Sequence, residues 1–146
     1  MPTIYFDMDG TIADLYGVEN WLTELRAENP TPYISAKPLV NGAWFSRTMH
    51  DFQKIGWKIG IISWLSKNSS ENYCNEVKCA KENWLKSHFP SVKFDEIHIV
   101  KYGTPKSTCG CGYLFDDEEK NRVEWGNGSF PAENLLKTLR KMLREN

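Results

Sequence analysis

The sequence has no long apolar run and no excess of charge of one sign, and each absence argues against one class of partner. No apolar stretch of the 146-residue chain approaches the roughly 20 residues that a membrane-spanning helix needs. The formal net charge is -1, whereas domains that bind a nucleic-acid backbone are usually strongly basic. We therefore expect no membrane partner, and a nucleic-acid partner is disfavoured.

A targeting signal and a zinc-binding pattern are also missing. The start of the chain lacks a basic-then-apolar leader, which predicts a cytoplasmic protein whose thiols stay reduced. Cys109 and Cys111 form C-x-C, whereas structural zinc ligands usually pair as C-x-x-C. Cys74 and Cys79 fall in a predicted helix, about 140° apart around its axis. We therefore expect four thiols that bind no zinc.

The two common glycine motifs that bind nucleotide phosphates, G-x-x-x-x-G-K-[ST] and G-x-G-x-x-G, are absent as well. There is no internal repeat, low-complexity tract or linker. The hydrophobic content of 40% and charged content of 25% are ordinary for a globular domain. Residues 1–146 are therefore expected to form one domain with a buried core.

What the chain does contain is an alternation of strand and helix patterns. Short β-branched or aromatic runs predict strands at residues 3–6, 57–63, 96–100 and 112–115. Apolar residues at helical spacing predict helices around residues 18–25, 45–52 and 73–88, and a last helix opened by Pro131. This order favours an α/β fold, a Rossmann-like three-layer sandwich with a mostly parallel sheet. Residues 15–45 are expected to form a small, cap-like insert.

Polar side chains follow each predicted strand at its carboxyl end, where open α/β sheets bind ligands. In chain order they are Asp7 and Asp9, Ser63, Lys101 and Lys106, and Asp116 and Asp117. Grouped carboxylates repel each other, and a hard cation such as Mg²⁺ removes that cost because it prefers oxygen ligands. A lysine and a hydroxyl group supply donors for phosphate oxygens. The set predicts phosphoryl transfer.

The segment Asp7–Thr11, which reads DMDGT, matches the DxDGT signature. At this point the chain resembles the haloacid dehalogenase-like (HAD) phosphatases. The likeness continues in the same order through Ser63, Lys106 and the Asp116–Asp117 pair, so it covers the catalytic core of nearly the whole chain. The resemblance implies a phosphoric monoester hydrolase.

The resemblance also implies roles for these side chains. Asp7 would be the nucleophile that forms an aspartyl-phosphate, and Asp9 the general acid and base. Ser63 would hydrogen-bond the phosphoryl group. Lys106 would pair with the phosphate and Asp7, with Lys101 as the alternative for this role.

A magnesium ion is implied in the same way. Asp7, the backbone carbonyl of Asp9 and an acid of the last motif would hold Mg²⁺. Asp116 is the first choice for that acid, and Asp117 is the second ligand or an orienting partner.

The substrate is expected to be a small phosphorylated molecule. The small insert and Asp14–Tyr16 look most like the 5'(3')-deoxyribonucleotidase-like branch, which acts on (deoxy)nucleoside monophosphates. Thr11, Trp64 and Trp44 are expected to contact substrate, the two tryptophans as faces on which a base stacks. Trp21 is expected in the core of its helix.

Two alternatives remain open. An open site suits a bulky substrate, such as a nucleic-acid 3'-phosphate end or a phosphoprotein. A phospho-accepting signalling domain also combines acids, a hydroxyl residue and a lysine on a parallel sheet. The order found here favours the hydrolase, because Asp9 follows the acceptor by two residues and would promote turnover.

Overall fold

A computed structural model describes residues 2–146 and has a sheet of five parallel strands at its centre. The strands of this sheet are β1 (Thr3–Phe6), β4 (Lys58–Trp64), β5 (Glu96–Val100), β6 (Tyr113–Phe115) and β7 (Ser129–Phe130). Their order is β5-β4-β1-β6-β7. Strand β1 is therefore central, and its carboxyl end lies between the carboxyl ends of β4 and β6.

There are six α-helices within residues 2–146. They are α1 (Trp21–Arg26), α2 (Thr31–Ser35), α3 (Gly42–Lys54), α4 (Glu71–His88), α5 (Glu119–Trp125) and α6 (Leu135–Arg144). Among the described residues, no helix combines the length and the apolar character that crossing a membrane requires.

The alternation of side chains along the strands divides the core between the two faces of the sheet. On one face, Phe6 and Ile61 belong to the larger cluster, to which α3, α4 and α6 contribute. On the other face, Tyr5 and Ile62 pack with Trp125 of α5. Helices therefore cover both faces, which confirms the predicted Rossmann-like α/β fold.

The four predicted strands are present within about a residue of the expected bounds, but the two elements that follow β6 were not expected. The acidic residues after β6 lead into α5, and the two-residue strand β7 extends the sheet beyond β6. The last helix begins at Leu135 instead of Pro131, because Asn134 adopts a left-handed backbone with φ of 56°.

The insert between β1 and β4 contains α1, α2 and a small antiparallel sheet of β2 (Ala13–Asp14) and β3 (Lys37–Pro38). Helix α2 begins at the Thr31–Pro32 step, since proline is tolerated in the first turn of a helix. Tyr33 of α2 packs with Tyr73 and Val77 of α4. The insert is thus anchored on α4, whereas α3 belongs to the main core.

Gly60 of β4 lies beside Tyr5 of β1 in the sheet. A Cβ at this position would lie 2.6 Å from Cδ1 of the Tyr5 ring. The ring is buried, and its hydroxyl donates a hydrogen bond to Oε1 of Glu96 at 2.9 Å. Close packing therefore requires glycine at this position.

Gly60→Ala should lower the free energy of unfolding by about 1–3 kcal/mol, because the added methyl group overpacks the sheet face. Gly42→Ala is the matched control: its Cβ would meet nothing closer than 3.8 Å, and alanine favours the helix it occupies. Urea unfolding measures both. Equal stability of Gly60→Ala and the wild type would contradict the packing.

Candidate active site

The ends of β1 and β6 bring the first and last acidic motifs together. The backbone N–H of Asp7 donates to the carbonyl of Phe115 at 2.9 Å, so Asp7 continues the pairing of the two strands. Gly10 then turns the chain away with φ of +83°, and a Cβ on it would clash with the carboxylate of Asp117. The glycine of DMDGT is therefore required by both its conformation and its contact with the other acidic motif.

Lys106 lies between the acids of the two strand ends. Its Nζ donates to Oδ1 of Asp7 at 2.9 Å and to Oδ2 of Asp116 at 2.6 Å, and its side chain is 1% exposed. Burial by itself lowers the pKa of Lys106, but the charges of Asp7 and Asp116 outweigh it and hold this pKa above its usual value. Lys106 therefore carries a charge that compensates the two carboxylates.

Other donors complete the setting of these acids. The Glu118 N–H donates to Oδ1 of Asp116 at 2.9 Å, and Nδ2 of Asn121 donates to its Oδ2 at 3.2 Å. Thr11 Oγ1 donates to Oδ2 of Asp7 at 3.2 Å and accepts from the N–H of Asp117 at 3.1 Å. Throughout residues 2–146, every fully buried side-chain nitrogen or oxygen has a hydrogen-bond partner.

Asp7, Asp116 and Asp117 form a cluster in which one carboxylate oxygen from each lies within 4.8 Å of the others. Burial, and then the negative charge of Asp7, raise the pKa of Asp117 to about 8. The pKa of Asp116 is also raised, by its burial and by the charge of Asp7. The cluster therefore concentrates more negative charge than Lys106 alone relieves, which suits a hard divalent cation.

A second buried lysine contacts the other acid of the first motif. Nζ of Lys81, on α4, lies 2.8 Å from Oδ2 of Asp9 and 2.7 Å from both Ser63 Oγ and the Trp64 carbonyl. Asp7 and Asp9 are therefore paired with different lysines that come from different parts of the chain.

A cavity of about 620 Å³ opens above these acids. Asp7, Asp9 and Lys106 form its charged wall. Its other walls include aromatic side chains from the insert, from the end of β4 and from the loop after β5, namely Tyr16, Trp21, Tyr33, Trp64 and Tyr102. Arg26 and Lys67 also line it. The cavity can hold a molecule that has an anionic group at one end and an apolar or aromatic body.

The predicted site residues do not all reach this cavity. Asp7, Asp9, Lys106 and Trp64 line it, as does Trp21, which was expected in a helix core. Trp44 does not: its ring lies on α3, against Arg47 and Arg140, whose guanidinium carbons are 5.2 and 4.3 Å from the ring centroid. Arg140 belongs to α6, so the ring of Trp44, which is 45% exposed, lies beside that helix.

Ser63 and Thr11 are buried beneath the cavity and contact Lys81 and the acidic residues, respectively. Lys101 is exposed and contacts none of the acids described above, whereas Lys106 is buried among them. Of the two lysines, the geometry favours Lys106 for the predicted lysine role.

Two side chains that hydrogen-bond the acids of the site were missed by the sequence analysis, namely Lys81 and Asn121. Lys81 lies four residues after Val77 and three before Trp84, so it falls on the apolar face of α4. A lysine on such a face was the signal for a buried charge. Asn121 lies in α5, five residues after Asp116. Nothing in the sequence indicated this contact, because no helix was expected there.

No protein-family model matches the chain, and no curated protein sequence matches it. Two solved structures have a similar fold. One is a D,D-heptose 1,7-bisphosphate phosphatase from B. bronchiseptica, complexed with magnesium and phosphate, with a TM-score of 0.58, 11% identity and 100% of each chain covered. The other is a D,D-heptose 1,7-bisphosphate phosphatase from Burkholderia thailandensis, with a TM-score of 0.53, 10% identity, and 98% of this chain and 99% of that chain covered.

At these identities the likeness concerns the fold, and it confirms the α/β architecture along the whole described chain. It agrees with the resemblance to the HAD superfamily at the level of the fold. Neither structure is a nucleotidase, so the deoxyribonucleotidase-like branch stays a prediction.

Asp117→Asn should stabilise the metal-free protein, and more so as the pH rises. The pKa of Asp117 is about 8 in the folded chain, above the ordinary value of 3.8, so the folded state holds a proton that the unfolded state loses. Stability therefore falls as the pH rises from about 4 to about 8, and the asparagine removes this loss. Urea unfolding at about pH 5 and pH 8 in the presence of a chelator measures the difference. A stabilisation that is the same at both values would contradict the assignment.

Proposed function

We propose that this protein is a Mg²⁺-dependent phosphomonoester hydrolase that works through an aspartyl-phosphate on Asp7. The observation that carries the proposal is the position of Asp7 on the cavity wall, in contact with Lys106 and within the cluster of Asp116 and Asp117. The shared fold with two phosphatases supports it.

In the first half-reaction, a carboxylate oxygen of Asp7 attacks phosphorus and the bond to the leaving oxygen breaks. Asp9 gives its proton to that oxygen, and the alcohol departs. In the second half-reaction, water attacks the phosphorus of the aspartyl-phosphate and loses a proton to Asp9. Phosphate leaves, and the carboxylate of Asp7 is restored. Lys106 stabilises the negative charge of the phosphoryl oxygens throughout.

The donor set fits magnesium. The three carboxylates repel one another, and they offer the hard oxygen ligands that Mg²⁺ prefers. Asp116 and Asp117 would hold the ion together with Asp7. When bound, the ion neutralises the negative charge of the phosphoryl group and of the acids around it. Asp9 would contribute through its backbone carbonyl, since its carboxylate is paired with Lys81.

Asp7→Asn should lower the rate of hydrolysis of an aryl phosphate at least about 1,000-fold, because an amide cannot act as the nucleophile. The folded structure should persist, since the amide oxygen still accepts from Lys106. Steady-state release of phosphate measures the effect, and circular dichroism checks the fold. Asp51→Asn, on α3 outside the site, is the matched control and should keep full activity. Substantial turnover by Asp7→Asn would disprove the nucleophile.

For the substrate, we propose a (deoxy)nucleoside monophosphate. The cavity joins a charged wall to a set of aromatic side chains, which suits a phosphate attached to a base. The insert supplies one side of the cavity through Tyr16 and Trp21, whose rings pack edge to face at 4.9 Å. A wall on this side favours a small substrate over a nucleic-acid end or a phosphoprotein.

A panel of nucleoside monophosphates and sugar phosphates tests this substrate. The nucleotides should have the higher kcat/KM, and Trp64→Leu should raise their KM by about tenfold through lost stacking. The same variant should leave the KM of a sugar phosphate within about twofold. Trp44→Leu, outside the cavity, is the control and should change neither value. A panel without preference for nucleotides would remove this substrate and leave the reaction class standing.

A further inference from the structure

Lys81 is a buried cation whose donors are all used. Its side chain is 1% exposed, and Nζ bonds to Oδ2 of Asp9, Oγ of Ser63 and the carbonyl oxygen of Trp64, all within 2.8 Å. A protonated lysine has three donors and no acceptor, so this set saturates it. The ring of Tyr33 also lies nearby, with its centroid 5.1 Å from Nζ.

The three partners differ in how firmly they are held. Ser63 and Trp64 belong to β4, which pairs with β1 and β5 on its two sides. Asp9 lies in the turn after β1, and its side chain is 18% exposed. The rigid strand therefore fixes Lys81, and Lys81 in turn fixes the more exposed carboxylate.

Lys81 also stands behind the cavity, since Asp9 lines the cavity wall and Lys81 does not. Within the described residues, Oδ2 of Asp9 has a protein hydrogen-bond partner, and Oδ1 has none. One carboxylate oxygen is thus held from behind, and the other is left for a reacting group in the cavity.

We infer that Lys81 is a positioning residue that holds the carboxylate of Asp9 in the orientation needed to exchange a proton with the leaving oxygen and with water. The inference rests on the proposed hydrolase function. Lys81 itself does not contact the substrate. Ser63 acquires a role as an anchor of Lys81, beside the phosphate contact predicted for it.

This role differs from two others that a buried lysine can have. If the lysine bound phosphate, its removal would raise KM and weaken inhibition by inorganic phosphate. If the lysine only supported the fold, its removal would slow the reaction of every substrate by the same factor. If the lysine positions the general acid, its removal slows the reaction most for substrates whose leaving group needs a proton.

The experiment measures the rate of aspartyl-phosphate formation in single turnover for two substrates. Nitrophenyl phosphate has a leaving group that departs without a proton, whereas an alkyl phosphate needs one. In Lys81→Met, formation from the alkyl phosphate should fall about 100-fold, and formation from nitrophenyl phosphate less than about fivefold. Lys78→Met, exposed on the same helix, should match the wild type for both.

A double variant adds a second readout. If Lys81 acts through Asp9, Asp9→Asn combined with Lys81→Met should be no more than about twofold slower than Asp9→Asn alone. Equal slowing of both substrates by Lys81→Met, additive losses in the double variant, or a rise in KM without a change in rate would each overturn the inference.

Failure of the hydrolase function gives a different result, because the wild type would then hydrolyse neither substrate. If Lys81→Met does not fold, Lys81→Gln replaces it, since the amide keeps a donor and a similar stem. Unfolding of both variants would show a structural residue and overturn the inference.

Discussion

The contact of Lys106 with Asp7 and Asp116 is the constraint on which the rest of the site depends. Parallel pairing of β1 and β6 forces the acids at their ends together, and burial makes their repulsion expensive. One ammonium group between them offsets much of that cost, provided that it is held at hydrogen-bond distance from both. Loss of Lys106 would leave the buried carboxylates uncompensated, which costs about 3–5 kcal/mol. The loop that carries Lys106 must therefore close over the strand ends for the fold to be stable.

Two buried lysines divide the acids of the DMDGT segment between them. Lys106 compensates the acid at the end of β1, and Lys81 holds the acid in the following turn. The two carboxylates face different elements, since Asp7 contacts Lys106 in the loop between β5 and β6 and Asp9 contacts Lys81 of α4. A nucleophile and an acid/base need different surroundings, and separate lysines provide them. The same α4 helix also anchors the insert through Tyr73 and Val77, so the acid/base and one side of the cavity share a support.

Much of this arrangement could be predicted from the sequence, because it depends on local patterns. The strands are short β-branched or aromatic runs, and the acids follow them directly, so the meeting of Asp7 and Asp116 follows from a parallel sheet. The choice between Lys101 and Lys106 did not follow from the sequence, because it depends on the path of the loop after β5. The residues that were missed depend on tertiary packing. Lys81 becomes part of the site only because the fold brings α4 to Ser63 and Trp64 at the end of β4. The sequence of a helix does not reveal which element its buried lysine contacts. Trp44 was misplaced for the same reason, since the first turn of α3 faces α6.

The central claim is that Asp7 carries the phosphoryl group during turnover, and trapping the intermediate tests it most directly. The protein is mixed with substrate and Mg²⁺, quenched in acid, and reduced with borohydride, which converts an aspartyl-phosphate to homoserine. Peptide mass spectrometry then locates the change. The account predicts homoserine at position 7 and at no other aspartate, and none when Mg²⁺ is removed. Homoserine at another position, or unmodified Asp7 in a protein that is hydrolysing its substrate, would contradict it.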